Sequence, residues 1–229
     1  VKRVVVGVTG ASGALCARAL LRALLAHRDV HEVHAVLSAF AIRTINAELG
    51  TKAADEVQGL EALLGPDLPS RGGKAAGSRA GNPGRTGERR GRRGRRGAGR
   101  LVLHRSDAME APLSSGSFLV DAMVIMPCSG GTLGAIASGH SSNLVQRAAE
   151  VTLKEGRRLI LGFRETPLSL VHIDAMRRAA RAGAVILPLM PAFYTRPRTV
   201  DDVVAQITAR VLDLLGLEHV LGRRWEGME

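Results

Sequence analysis

The chain has 229 residues, 45% of them hydrophobic, and a formal net charge of +11. That is enough apolar material for one well-packed domain, and no apolar run approaches the roughly 20 residues that cross a bilayer, so no membrane-spanning helix is expected. The charge reads as a nucleic-acid signal only until it is located, because Ser70–Arg100 holds ten Arg and one Lys against one Glu, leaving about +1 for the rest of the chain.

Lys2–Val8 is a run of mostly β-branched residues and is predicted to be a buried strand. It leads into the turn of VVGVTGASGA, where Gly7, Gly10 and Gly13 follow at intervals of three. Because Val1–Val8 is itself strand-like, it does not read as a secretory leader, and the expected location is the cytoplasm. Apolar spacing then predicts a helix over Ala14–Ala26, a strand over Glu32–Leu37, and helices over Phe40–Ala47 and Val57–Leu64. Arg71–Arg100 contains no Val, Ile, Leu, Phe, Tyr or Trp. It cannot offset its ordering entropy by burial, and like charges extend it, so residues 70–100 are expected to form a disordered Arg/Gly-rich insertion. Without aromatics for base stacking it is not expected to bind a specific nucleic acid, although polyanions would be attracted nonspecifically.

Beyond the insertion, strands are predicted at Leu101–His104, at Ala122–Met126 (stopping at Pro127), at Arg158–Gly162 and at Ala184–Leu187. Helices are predicted at Asn143–Glu155, Leu168–Ala182 and Val200–Leu215. The alternation implies an α/β fold in three layers around a mostly parallel sheet, with a single domain over residues 1–229. Ligands in such sheets bind beyond the carboxyl ends of the strands. The loops of interest are then Gly10–Gly13, Ser38, Cys128–Thr132, Arg164–Glu165 and Pro191–Tyr194. Cys16 and Cys128 are expected to be small buried residues in a reducing compartment.

A glycine turn between strand and helix exposes backbone N–H groups at a helix N-terminus and favours a phosphate. The dinucleotide pattern of short-chain dehydrogenases is not met. Ala14 and Cys16 stand where glycines would, Ser38 replaces the ribose-binding acid, and Tyr194 is followed four residues on by Arg198 instead of Lys. Hydroxyls at Ser12 and Ser38 point to a single phosphate, as in FMN; a tight turn without ligand is the plainer alternative. A second cradle, Ser129–Thr132, opens a helix after a strand, and Arg147 and Lys154 share one face of the next helix. Arg164–Glu165 adds a charged pair at a strand end. Taken singly, these read as a solvated face and a surface ion pair. Together, cations, hydroxyls and one carboxylate are predicted to meet at one edge of the sheet.

VTGASGA, CSGGTL, NLVQRAAEVTLKE, FRETP, GAVILPLMPAFYTRP and the late RW pair resemble the flavin prenyltransferase (UbiX) family over most of residues 3–60 and 101–226. The resemblance implies a Rossmann-like (flavodoxin-like) fold and a large homo-oligomer, a dodecamer, with FMN bound between subunits. It implies flavin contacts at Gly10, Ala11, Ser12, Ser38, Ser129, Gly130, Gly131, Thr132 and Arg164. Prenyl phosphate contacts fall on Tyr194 and Arg210, with Arg147 and Lys154 also at the phosphate. Glu48 and Glu165 match active-site carboxylates, and Trp225 a tail residue nearby. The implied activity moves a dimethylallyl group from dimethylallyl phosphate to N5 and C6 of reduced FMN without a metal. The product would serve a partner decarboxylase. Lys154, Arg147, Arg210 and the Tyr194 hydroxyl would stabilise the departing phosphate, while Asp201-Asp202 reads as a helix N-terminal pair rather than a metal site. Either the departing phosphate or Glu165 would take the C6 proton. The alternatives are an FMN-dependent cysteine-type decarboxylase of the same fold and a non-catalytic flavin carrier. His140 is the one histidine read as near a candidate site.

Overall fold

The computed structural model describes residues 2–65 and 99–222, so most of the Arg/Gly-rich insertion and Trp225 lie outside the described residues. In chain order the elements are β1 (Lys2–Val8), α1 (Ala14–Ala26), β2 (Val30–Leu37), α2 (Ala39–Leu49), α3 (Glu56–Leu64), β3 (Arg100–His104), β4 (Ala122–Cys128), α4 (Gly130–Ser138), α5 (Leu144–Lys154), β5 (Arg158–Phe163), α6 (Leu170–Arg181), β6 (Val185–Pro188) and α7 (Val200–Leu215). Single 3-10 turns lie at Pro112–Ser114 and Phe193–Thr195.

The strands form one sheet in the order β3-β2-β1-β4-β5-β6, and every pairing is parallel. Both faces are covered, which is why the strands read as nearly continuous apolar runs instead of alternating ones. Val4, Val6 and Val8 face a core shared with Leu20, Leu24, Val211 and Leu215 of α1 and α7. Val5, Met123 and Ile125 face a second core with Leu133, Leu144 and Val145 of α4 and α5. Strand order reverses between β1 and β4, and a crevice opens at such a reversal. The glycine turn after β1 and the Ser129 turn after β4 are its two walls.

β4 does not stop at Pro127 as predicted but runs on to Cys128, which pairs with Phe163. The pairing register shifts between Ile125 and Cys128, so the proline is carried in an irregularity where no ladder N–H is required of it. β3 begins one residue early, at Arg100, which pairs with Glu32 in the ladder and sets its guanidinium 3.1 Å from the Glu32 carboxylate.

Glu32 belongs to a buried polar file on the outer strands. Arg3 Nε donates to its carboxylate at 2.6 Å, His34 Nε2 lies 3.3 Å away, and His34 Nδ1 is 2.8 Å from His104 Nε2. Burial, and then the neighbouring His34, push the His104 imidazole down to about 4. Burial also lowers His34, against the pull of Glu32. Burial works to raise Glu32, yet the Arg3 and His34 contacts hold it below the usual carboxylate value.

Candidate active site

The glycine turn holds an anion of its own. Gly13 N–H donates to both Glu48 carboxylate oxygens at 3.0 and 3.1 Å, and Ala14 N–H donates to Oε2 at 2.7 Å. Glu48 sits in the last turn of α2 and so fills the positive end of α1. α2 is clamped to the turn at two further points. Thr44 Oγ1 donates to the Gly10 carbonyl at 3.0 Å, and a Cβ on Gly10 would lie 2.6 Å from Phe40 Cβ, which leaves glycine as the residue that fits. Ser38 caps α2 by accepting the Ala41 N–H at 3.2 Å. Ala11 is buried and Ser12 exposed. The expectation that this turn offers free N–H groups to a phosphate is therefore corrected at Gly13 and Ala14.

The second turn is open. Ser129 Oγ accepts the Thr132 N–H at 3.3 Å and donates to Thr132 Oγ1 at 3.0 Å. Among the described residues, neither Gly130 nor Gly131 N–H has an acceptor, and nothing lies within 4 Å of a Cβ on Gly131. Thr9, 2% exposed, joins the two turns: its hydroxyl donates to the Pro127 carbonyl at 2.8 Å and accepts the Ser129 N–H at 2.9 Å. Arg164 follows β5, its N–H bonded to the Cys128 carbonyl at 3.2 Å. Its buried Nε has no partner among the described residues. Glu165 Oε1 accepts the Thr166 N–H, and Oε2 lies 3.7 Å from a Cβ built on Gly130.

The histidine at this turn is His172, which sequence reasoning missed. Its Nε2 lies 3.1 Å from the same Cβ position on Gly130, while its Nδ1 faces the Ser169 N–H at 3.3 Å in a reciprocal cap of α6. His140 instead closes the far end of α4, its N–H donating to the Ala135 carbonyl. A cap residue three positions after Ser169 was the available signal for His172.

The predicted meeting of all cations at one edge does not occur within one chain. α5 starts at the carboxyl edge, where Leu144 N–H bonds to the Ser106 carbonyl beyond β3, and runs back toward the strands' amino ends. Arg147 lies in its first turn, paired with Glu150 at 3.0 Å. Lys154 is its last residue, paired with Glu155 beside Gly116 and Arg157 at the opposite edge. Seven helical residues advance roughly 10 Å, so a shared face is not a shared height. Tyr194 and Arg210 do come together, in a cleft of about 330 Å³ lined also by Gln206, Asp213, His219 and Gly222.

Cys16 and Cys128 are buried and free. Burial, then the Glu48 charge, push the Cys16 thiol up to about 11, and burial alone pushes Cys128 up to about 12. Neither is a nucleophile at neutral pH. Among the described residues no three His, Cys, Asp or Glu side chains gather as a metal ion would require, and no helix is long and apolar enough to cross a membrane.

An all-parallel sheet with two glycine-bearing turns at its switch point defines a nucleotide-type binding protein. Residues 1–212 match the family model described as Flavoprotein. A probable UbiX-like flavin prenyltransferase of Escherichia coli O157:H7 is 39% identical over 226 residues, 99% of this chain and 94% of that protein. Among solved structures, a dodecameric FMN-dependent UbiX-like decarboxylase from the same organism superposes with a TM-score of 0.75 at 39% identity, covering 98% of this chain and 100% of that one. AnUbiX (PadA1), solved with FMN and dimethylallyl pyrophosphate, gives 0.75 at 36% identity, covering 100% and 99%. The chain belongs to the UbiX-like flavin prenyltransferases, a family of transferases within the flavoproteins.

Proposed function

We propose that this chain transfers a dimethylallyl group from dimethylallyl phosphate to reduced FMN, with the flavin held at the carboxyl edge of the sheet. The observation that carries the site is the open end of α4. Its Gly130 and Gly131 N–H groups and the buried Arg164 Nε, all without a partner among the described residues, together with the Ser129 and Thr132 hydroxyls, fit a phosphate and a flavin acceptor atom. Ser38 and the Gly10–Ser12 turn form the facing wall. Reduced FMN supplies the nucleophilic N5 and C6 positions.

The residues of this chain serve the leaving group. Cleavage of the allylic C–O bond leaves a cation and a phosphate, and fixed cations aimed at that phosphate lower the barrier. Arg147, Lys154, Arg210 and the Tyr194 hydroxyl take that part. Glu165 stands beside the Gly130 turn as one candidate acceptor for the C6 proton, with the departing phosphate as the other. Glu48 orders the turn opposite.

Because Lys154 stands at the opposite edge of the sheet from the α4 end in one chain, the site closes between copies. The dodecameric relative supports such an assembly, as do the exposed Leu168, Leu170, Val171 and Ile173 at and before the start of α6. The product passes to a decarboxylase that uses prenylated flavin, and the buried thiols suit a reducing, cytoplasmic setting.

Mixing the protein anaerobically with reduced FMN and dimethylallyl phosphate tests the reading. A new flavin heavier by one five-carbon prenyl unit is expected, at a rate that a chelator leaves unchanged. Flavin that stays bound and unmodified would make the protein a carrier. Lys154→Ala or Glu165→Gln should retain FMN yet slow product formation by at least about tenfold. Mixed oligomers of these two variants should recover part of the activity, since some sites then receive both intact residues. No recovery would place both residues in one copy's site.

A further inference from the structure

We infer that Asp213 and His219 are positioning residues that hold the Arg210 guanidinium ready for the phosphate of the prenyl donor. The inference rests on the reading of the Tyr194–Arg210 cleft as the donor site.

Arg210 projects from α7 with its side chain 63% exposed, and a long arginine in water samples many rotamers. Here it is not left to do so. Asp213, one turn further on, accepts its NH1 at 2.9 Å through Oδ2. An exposed i,i+3 pair of this kind would ordinarily be loose. This one is anchored from behind, because the other carboxylate oxygen, Oδ1, lies 3.0 Å from His219 Nε2. With both oxygens engaged, the carboxylate cannot swing, and the arginine presents its remaining N–H donors beside Tyr194.

The chemistry of His219 argues that this is its purpose. A carboxylate only accepts, so Nε2 must carry the hydrogen. The other nitrogen, Nδ1, is buried and has no partner among the described residues, in a side chain 5% exposed. Leucine would fill that space without an unsatisfied polar atom. Retaining a half-satisfied histidine makes sense when its one bond, to Asp213, does work elsewhere. A Cβ built on Gly222 would lie 3.4 Å from Ala209 Cβ and 3.6 Å from Gln206 Cα, so the segment after His219 runs back along α7, and the His219 ring lines the cleft.

The test uses the full chain with saturating reduced FMN under anaerobic conditions and varied dimethylallyl phosphate. Arg210→Met is the reference and should raise the donor KM. His219→Leu is expected to raise that KM about five- to tenfold, the scale of freeing one ordered side chain, with any fall in kcat smaller than in Arg210→Met and FMN affinity unchanged. His219→Gln, which keeps a donor for Asp213, should return the KM to near the parent value. If His219→Leu fails to fold, Asp213→Ser is measured for the same rise. A KM unchanged in these variants while Arg210→Met raises it overturns the inference and leaves the donor site standing. Loss of FMN affinity together with kcat also overturns it, since that is the outcome of a merely structural tether. A KM unmoved even in Arg210→Met overturns the reading of the cleft itself.

Discussion

The two turns at the switch point are built alike and end differently. Each joins a buried strand to a helix through glycine and hydroxyl residues, and each presents the positive end of a helix to the same crevice. At α1 the site is taken by Glu48, a residue 34 positions downstream of Ala14. At α4, among the described residues, no carboxylate accepts from the helix end, and Gly130 and Gly131 keep their N–H groups. A glycine turn is therefore a place for an anion, and the rest of the fold decides whether that anion is a side chain or a ligand.

Supplying α4 with the carboxylate that α1 already has gives the most severe test. Gly131→Asp has room, since nothing surrounds its Cβ, and FMN affinity should fall by about a hundredfold as two negative groups compete for one helix end. Fluorescence titration reads this directly, and unaltered affinity would mean the ligand sits elsewhere. Next in size is the bridge between the turns. Thr9→Val removes a buried hydroxyl with two partners and should weaken FMN binding by about tenfold, with Thr9→Ser close to the parent. Equal affinity in all three would show that the turns are set independently.

Emptying the α1 end should cost stability. Glu48→Ala leaves the Gly13 and Ala14 N–H groups without their carboxylate, and a loss of about 0.5–2 kcal/mol in chemical denaturation is expected. A neutral result would mean that water replaces Glu48 at no cost.

The smallest effect comes from the buried Glu32, which guanidinium groups hold instead of a helix end. His104, joined to Glu32 through His34, titrates near 4 in the fold and near 6.5 when unfolded. Between those values the unfolded chain binds more protons, so stability falls as pH drops through that window. Tm should fall by on the order of 5 °C from pH 7 to pH 5, and less in His104→Leu. An equal fall in the variant would move the cause to other groups.

The sheet was legible because each strand carries its own local signal. Lys2–Val8, Ala14–Ala26 and Val200–Leu215 were read to the residue. Pro127 misled because its penalty depends on a ladder bond that the irregular register does not ask for. The site was less legible because its contacts are long-range or depend on direction. No spacing rule brings Glu48 to Gly13 or His172 to Gly130. Periodicity put Arg147 and Lys154 on one face but was silent about how far along the helix each would stand.

The seclusion of Cys16 and Cys128 bears on how the protein meets oxygen. With both sulfhydryls shielded and kept protonated, air should find little to attack on the polypeptide. Sensitivity would reside in the dihydroflavin alone. A preparation handled on an open bench could then be recharged with freshly reduced cofactor, with no thiol repair in between.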